Sequence, residues 1–488
     1  MGISEATFFL DPQFQGTLQQ QLQQLVIRGI LDGRHRPGDR MPSSRKLAAH
    51  LGISRITVTL AYTDLVANDY LTSRGRSGYF ISENAPPPLG QEPVREPGSG
   101  NVDWHRVIGQ PYSDDQMPLR PMDWRKYQFP FIFGQADSSL FDHQNWRHCA
   151  LQALGQRDFD ALTSDFYDAD DPLLIDFILR HILPRRGIGA RPDEVLLTLG
   201  AQNALWLSAE ILLNDRRVAT IENPGYPGIR QILQRRNCRI HALNIDDDGL
   251  PPDRIPPETN VVFTTPSHQA PTNGTMPLAR RRDLLDRATG DDFVVIEDDY
   301  EFEMAFQGAP QPALKSLDRH GRVVYVGSFS KSLFPGMRLG YLVGPKPFIQ
   351  QARLLRAMVL RHPPGHIQRT LAYFLSRGHY DTQINRMGQA YRKRRAAMED
   401  AIQRHGLEQA ETGSFGGSSI WMKAPKGVNT TELAQVLKAQ GVLIEPGQPF
   451  FAPEDRNTRF YRLGYSSIPI PRIEAGIAKI AETLANWP

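Results

Sequence analysis

The chain has 488 residues, 40% of them hydrophobic and 22% charged, with a formal net charge of +3. That length exceeds one ordinary domain and supplies apolar surface for a large core. The charge is too small to argue for nucleic acid by itself, no apolar run approaches the roughly 18 residues a membrane helix needs, and no basic-then-apolar leader opens the chain.

Met1-Gly2-Ile3-Ser4-Glu5-Ala6 carries Ala6 where a myristoylation signal wants Ser or Thr. Cys149 and Cys238 lie far apart and form no metal-ligand spacing, so they read as reduced thiols of a cytoplasmic protein and no metal site is expected. Three regions follow: a compact helical module over residues 1–84, a Pro-rich extended linker over 85–128, and an α/β domain over 129–488.

In the first module, Thr17 and Gln20 form a capping box before Leu18, Leu22, Leu25, Val26 and Ile30 at helical spacing, and Gly33 closes that helix. Ser43 caps a second helix burying Leu47 and Leu51 and ending at Gly52. Ser54 caps a third whose core stripe is Val58, Ala61, Tyr62 and Leu65. Tyr70–Ser73 and Gly78–Ile81 read as two strands around the basic turn Arg74-Gly75-Arg76-Ser77. Two short helices, a tight turn and a basic hairpin make a winged helix-turn-helix. From Arg36 to Arg76 there are seven basic residues against three acidic, a balance suited to a phosphate-facing surface.

In the α/β domain, Gly200-Ala201-Gln202 follows a strand and opens a helix. Either backbone N–H groups at Ala201 and Gln202 cradle a phosphate or this is a plain strand-to-helix turn. Tyr226, in Glu222-Asn223-Pro224-Gly225-Tyr226-Pro227, stacks on a cofactor ring or packs beside a turn. Val294–Tyr300 is an apolar strand ending in acids. Asp298 and Tyr300, two apart on a strand, are expected to point the same way, toward a pyridine nitrogen and a ring oxygen. Ser328-Phe329-Ser330-Lys331 follows another strand, with Arg338 seven residues beyond the lysine. One lysine among hydroxyls with an arginine nearby suits pyridoxal 5'-phosphate (PLP). Lys331 would make the Schiff base, and Ser328, Ser330 and Arg338 would hold the phosphate. Arg462, inside the apolar strand Arg459–Ser466, meets either a ligand carboxylate or sulfonate or an internal acid.

The string Pro37-Gly38-Asp39-Arg40-Met41-Pro42-Ser43-Ser44-Arg45-Lys46-Leu47-Ala48, with Leu51-Gly52-Ile53-Ser54-Arg55 and Gly75-Arg76-Ser77-Gly78-Tyr79, resembles the GntR-type bacterial regulators. That resemblance implies phosphate contacts from Ser44 and Arg45. It places Ser54, Arg55 and Thr57 in the major groove of promoter DNA, and Arg74, Gly75 and Arg76 at the minor groove or backbone. Residues 129–488 resemble fold-type I aminotransferases. With Glu297-Asp298-Asp299-Tyr300, Thr265-Pro266-Ser267-His268-Gln269 and Arg462-Leu463-Gly464-Tyr465, the whole chain resembles the MocR subfamily.

The resemblance implies a homodimeric, PLP-binding regulator controlled by an amine or amino-acid-like inducer that replaces Lys331 on the cofactor. An aminotransferase with a fused DNA-binding module is the competing expectation. Two departures stand out: Pro271-Thr272-Asn273 displaces Gly274 by one position, and Tyr167–Ile175 is unusually acidic. Both are expected to reflect a different inducer. Asp171-Pro172-Leu173-Leu174-Ile175-Asp176 and Leu183-Pro184-Arg185-Arg186-Gly187-Ile188 resemble the branch that controls ectoine or taurine breakdown.

Overall fold

A computed structural model describes residues 2–87, 102–109, 121–135, 137–165, 167–308, 311–410, 416–455 and 457–487. Most of the expected linker, at 88–101 and 110–120, lies outside the described residues, as does the side chain of Arg76. The chain divides into two compact units, Met1–Pro111 and Tyr112–Pro488.

In the first unit, Leu18–Leu31 (α1) begins at the expected reciprocal cap between Thr17 and Gln20, and Gly33 follows it at φ +71°. Ser44–Leu51 (α2) is capped by Ser43 and stopped by Gly52 at φ +66°, a conformation that a β-carbon penalises. Arg55–Ala67 (α3) is capped by Ser54. Leu22, Val26, Ile30, Leu47, Val58, Ala61, Tyr62 and Leu65 form the core, each worth a few kcal/mol in transfer free energy at most. Phe8 and Met41, unmarked by any periodicity, complete it. Leu18 departs from expectation: it stands 48% exposed on the first turn of α1. Leu71–Ser73 (β1) and Tyr79–Ile81 (β2) pair antiparallel, Leu71 opposite Ile81, around a tight turn at Gly75–Ser77.

The second unit is built on a seven-stranded sheet. Its strands are Val195–Thr198 (β3), Val218–Asn223 (β4), Arg239–Asn244 (β5), Val261–Thr264 (β6), Val294–Asp298 (β7), Val323–Ser328 (β8) and Gly340–Val343 (β9). They lie in the order β3-β9-β8-β7-β6-β4-β5, and only β9 runs antiparallel to its neighbours. β3, β4, β6 and β8 are buried along their whole length, as expected of a sheet covered on both faces. A smaller four-stranded sheet contains Ser419–Lys423 and Phe460–Gly464. The helices His379–Arg404, Thr430–Ala439 and Ile470–Ala485 share an apolar core with it around Met422, Leu463 and Ile477. Trp124 is buried with Ile132 and Leu443, so packing in this unit reaches into the tail of the expected linker. Among the described residues no helix is long and apolar enough to cross a membrane.

Candidate cofactor cleft and nucleic-acid face

In open α/β sheets, ligands collect at the carboxyl ends of the parallel strands. Here those ends deliver Asp298 from β7 and Ser328 from β8, and the turn after β3 opens the helix Ala201–Leu212. A cleft of about 310 Å³ lies among them. Lys331, Asp298, Tyr300, Ser328, Ser330, Arg338, Ala201, Gln202, Tyr226 and Arg462 all line it. That volume matches a small-molecule site.

The strand β7 ends at Asp298, so Tyr300 reaches the cleft through the turn beyond the strand and not by strand alternation as expected. Asp299 faces the other way, accepting from Arg186 Nε at 2.6 Å and Tyr325 Oη at 2.9 Å. Asp298 is buried, and its Oδ1 has no hydrogen-bond partner. Burial, with Asp299 and Glu222 nearby, pushes its carboxyl up to about 7, while Lys331 opposes the shift. A buried carboxylate with an unfilled acceptor is complementary to a ligand N–H or cation.

Lys331 sits in the turn after β8 with Nζ 3.8 Å from the centre of the Phe133 ring. Gly134, at φ +70°, lies so near that an added β-carbon would stand 2.1 Å from that Nζ. Arg338 Nη2 donates to Leu199 O at 3.1 Å, and a β-carbon on Gly200 would sit 3.4 Å from the same nitrogen. Glycine at 200 therefore keeps the guanidinium close to the opening of the helix Ala201–Leu212. Tyr226 Oη donates to Gln202 Oε1 at 2.6 Å, joining two lining residues.

Arg462 meets an internal acid, Glu445, and also lines the cleft. Nε and Nη2 each lie 2.8 Å from Glu445 Oε2, while the guanidinium packs 3.9 Å from the Phe133 ring centre and 4.7 Å from that of Phe450 and still lines the cleft. Phe133, Gly134, Ala270 and Phe450 were missed in sequence. The only local signal was a glycine ending the apolar run Phe129–Phe133.

The displaced glycine has a simple structural solution. Asn273 adopts φ +61°, a region Asn tolerates better than most residues, and its Nδ2 donates to Ser419 O at 2.8 Å. The acidic segment is not part of the cleft lining. Asp170 pairs with Arg353 and Arg356 at 3.0 and 2.6 Å, and Asp171 with Arg369 at 2.6 Å, so these acids neutralise internal arginines.

In the N-terminal unit, Arg45, Ser54, Arg55, Arg74 and Gly75 are exposed, and Ser44 and Thr57 are half-buried. Ser54 Oγ accepts from Ile56 N at 3.1 Å, so this side chain caps α3 as well as lying at its exposed tip. Arg55 Nε approaches Ser44 Oγ at 3.4 Å, and Arg74 stacks 4.8 Å from the centre of the Phe80 ring. Ile56, 71% exposed on the first turn of α3, was not singled out in sequence.

Residues 164–480 match the family "Aminotransferase class I and II", and residues 18–81 match "Bacterial regulatory proteins, gntR family". The chain is 57% identical over 484 residues to the HTH-type transcriptional regulator TauR of Rhodobacter capsulatus, covering 99% of this chain and 100% of that protein. It is 28% identical to a probable rhizopine catabolism regulatory protein, MocR, of Rhizobium meliloti, over 96% of this chain and 94% of that one. Among solved structures, Pyrococcus horikoshii kynurenine aminotransferase in complex with PMP matches with a TM-score of 0.69 at 25% identity, over 78% of this chain and 98% of that one.

Proposed function

For this chain, which belongs to the MocR subfamily of GntR-type transcriptional regulators, with an aminotransferase class I and II domain, we propose a cytoplasmic, homodimeric regulator that binds promoter DNA and PLP and responds to an amine. The convergence of Lys331, Asp298, Arg338 and Arg462 on one cleft carries this reading. When bound, PLP supplies an aldehyde that condenses with primary amines and a ring that withdraws electrons.

The chain's own residues fit that group. Asp298 offers an unfilled, buried acceptor to a pyridinium N–H. Tyr300 presents a hydroxyl to the ring oxygen, and Tyr226 an aromatic face. Arg338, Ser328, Ser330 and the first N–H groups of the helix Ala201–Leu212 offer donors to a phosphate. Lys331 provides the resident amine. Arg462 gives an inducer's anionic end a cation already held in place by Glu445. In the N-terminal unit, Ser44 and Arg45 contact phosphates, Ser54, Arg55 and Thr57 enter the major groove, and Arg74, Gly75 and Arg76 approach the minor groove or backbone.

The inducer class is a primary amine bearing a carboxylate or sulfonate, controlling a catabolic operon such as ectoine or taurine use. Taurine comes first because the 57%-identical relative is TauR. Adding taurine to the PLP-loaded protein should change both its visible absorbance and its binding to the adjacent promoter. An unchanged spectrum and unchanged DNA binding across a panel of anionic amines would reject the sensor. The full set of cleft residues also supports a second reading, a working aminotransferase. Steady conversion of amino donor and keto acid without any promoter response would favour it.

A further inference from the structure

Lys331 also borders a second, smaller cavity next to the ligand cleft. Gly134, Ser330 and Pro335 are shared by the two linings; Asp137, Glu301, Tyr391, Ser418 and Ser466 belong to the small chamber alone. Its volume is about 20 Å³, room for one water-sized group. An ammonium is that size.

The lining mixes apolar side chains such as Leu140, Leu333 and Met387 with two carboxylates, Asp137 and Glu301. Glu301 is 1% exposed and accepts from Ser418 Oγ through Oε1. Glu301 Oε2 lies 3.2 Å from His268 Nε2, near enough for an ion pair, but outside hydrogen-bond geometry with any partner. Ser466 Oγ is likewise buried without a hydrogen-bond partner. Asp137, by contrast, is engaged by Arg394. Burial pushes the Glu301 carboxyl upward, but His268, Lys331 and Ser418 outweigh it and hold it below the usual range, so it is an anion.

We propose that this chamber is a cation site for the lysine itself: when Lys331 leaves the cofactor, its ammonium is received by Glu301, with Ser418 and Ser466 around it. The idea deepens the sensor reading above and rests on it. As an inducer amine forms its bond to the cofactor carbon, the bond from that carbon to Lys331 breaks. The two protons the incoming ammonium loses are the two Lys331 gains, so it departs as –NH₃⁺. A free ammonium left in the cleft would repel the next cation and compete for Asp298. Glu301, which lines the small chamber and not the cleft, draws it out of the cleft and favours displacement.

Two measurements on the full chain test this. In cofactor-free protein, reductive methylation of Lys331 is followed by peptide mass spectrometry as a function of pH. Glu301→Gln should lower the half-labelling pH by about one unit or more, as expected for loss of one close opposite charge, and Ser418→Ala by less in the same direction. Superimposable profiles, or a shift produced by Asp298→Asn and not by Glu301→Gln, would overturn the proposal. In PLP-loaded protein, Glu301→Gln should raise the methylamine concentration giving half the absorbance change by about tenfold with cofactor content unchanged. An unchanged midpoint counts against the chamber. If no amine alters the wild-type spectrum, the sensor reading falls, and the labelling profile still decides the chamber.

Discussion

Arg462 and Glu445 stand opposite one another on neighbouring antiparallel strands, with two guanidinium nitrogens each 2.8 Å from one carboxylate oxygen and both side chains almost fully buried. Removing one member of such a pair leaves the other charge without water or partner, which costs more than the pair contributes. Arg462→Ala should therefore lower stability by about 3 kcal/mol. Arg462→Met combined with Glu445→Gln should recover most of that loss while remaining unresponsive to anionic amines. Thermal unfolding and an absorbance titration read the two effects separately. A responsive double variant would show that the inducer's anion binds elsewhere.

Asp298 holds its proton more tightly folded than unfolded, because its carboxyl is raised from 3.8 to about 7. The folded chain then binds more protons between those values, so the stability of cofactor-free protein falls as pH climbs from about 4 to about 7. Asparagine carries no such cost. Asp298→Asn should stabilise the cofactor-free protein by ~2 kcal/mol above pH 7 and change little below pH 4. The same variant should bind PLP more weakly. Denaturant melts at pH 4 and 8 with a cofactor titration check this. A loss of stability at pH 8 would mean that the carboxylate serves the fold.

Gly134→Ala tests the contact with Lys331. The substitution costs about 1–2 kcal/mol for its left-handed backbone and places a methyl 2.1 Å from the resting Nζ. The lysine must move, so cofactor affinity should drop by more than tenfold in a protein that still unfolds cooperatively. Retained affinity would mean that the lysine has slack to spare.

On the DNA side, Arg55→Ala should weaken promoter binding across all sequences if it neutralises a phosphate, and reduce the slope of log affinity against log salt by about 1. If it reads a base, the slope should hold while discrimination at one position relaxes. Ser54→Ala should also cost about 1 kcal/mol of stability, because its hydroxyl caps α3. Urea melts of the variant separate that loss from the loss of DNA contact.

Much of this was legible because the signals were local. Ser43, Ser54 and Gly52 mark helix ends by short-range rules, and the structure puts helix ends there. Most cleft residues were visible because they stand at or just after the end of an apolar strand, while Arg462 stood out as a charge inside one. What escaped was long-range: Gly134 meets Lys331 across nearly two hundred positions of chain, and Asp299 finds Arg186 113 residues away. The acidic run at 167–175 is a related case. Asp170 and Asp171 look available in one dimension, but Arg353, Arg356 and Arg369 reach them from distant helices. The alternation argument for Asp298 and Tyr300 reached the right cleft for the wrong reason, since β7 stops between them.

The helix His379–Arg404 spans 26 residues, roughly 39 Å of rigid rod. Gln383, Met387 and Tyr391 touch the small chamber near one end, and at the other Arg404 and neighbouring His405 clasp Glu474 of the last helix at 2.6 and 2.9 Å. One helix therefore supplies part of the wall beside the lysine and, with buried residues from Tyr380 to Ile402 along it, ends against the C-terminal helix, so chamber and chain end hang on a single element.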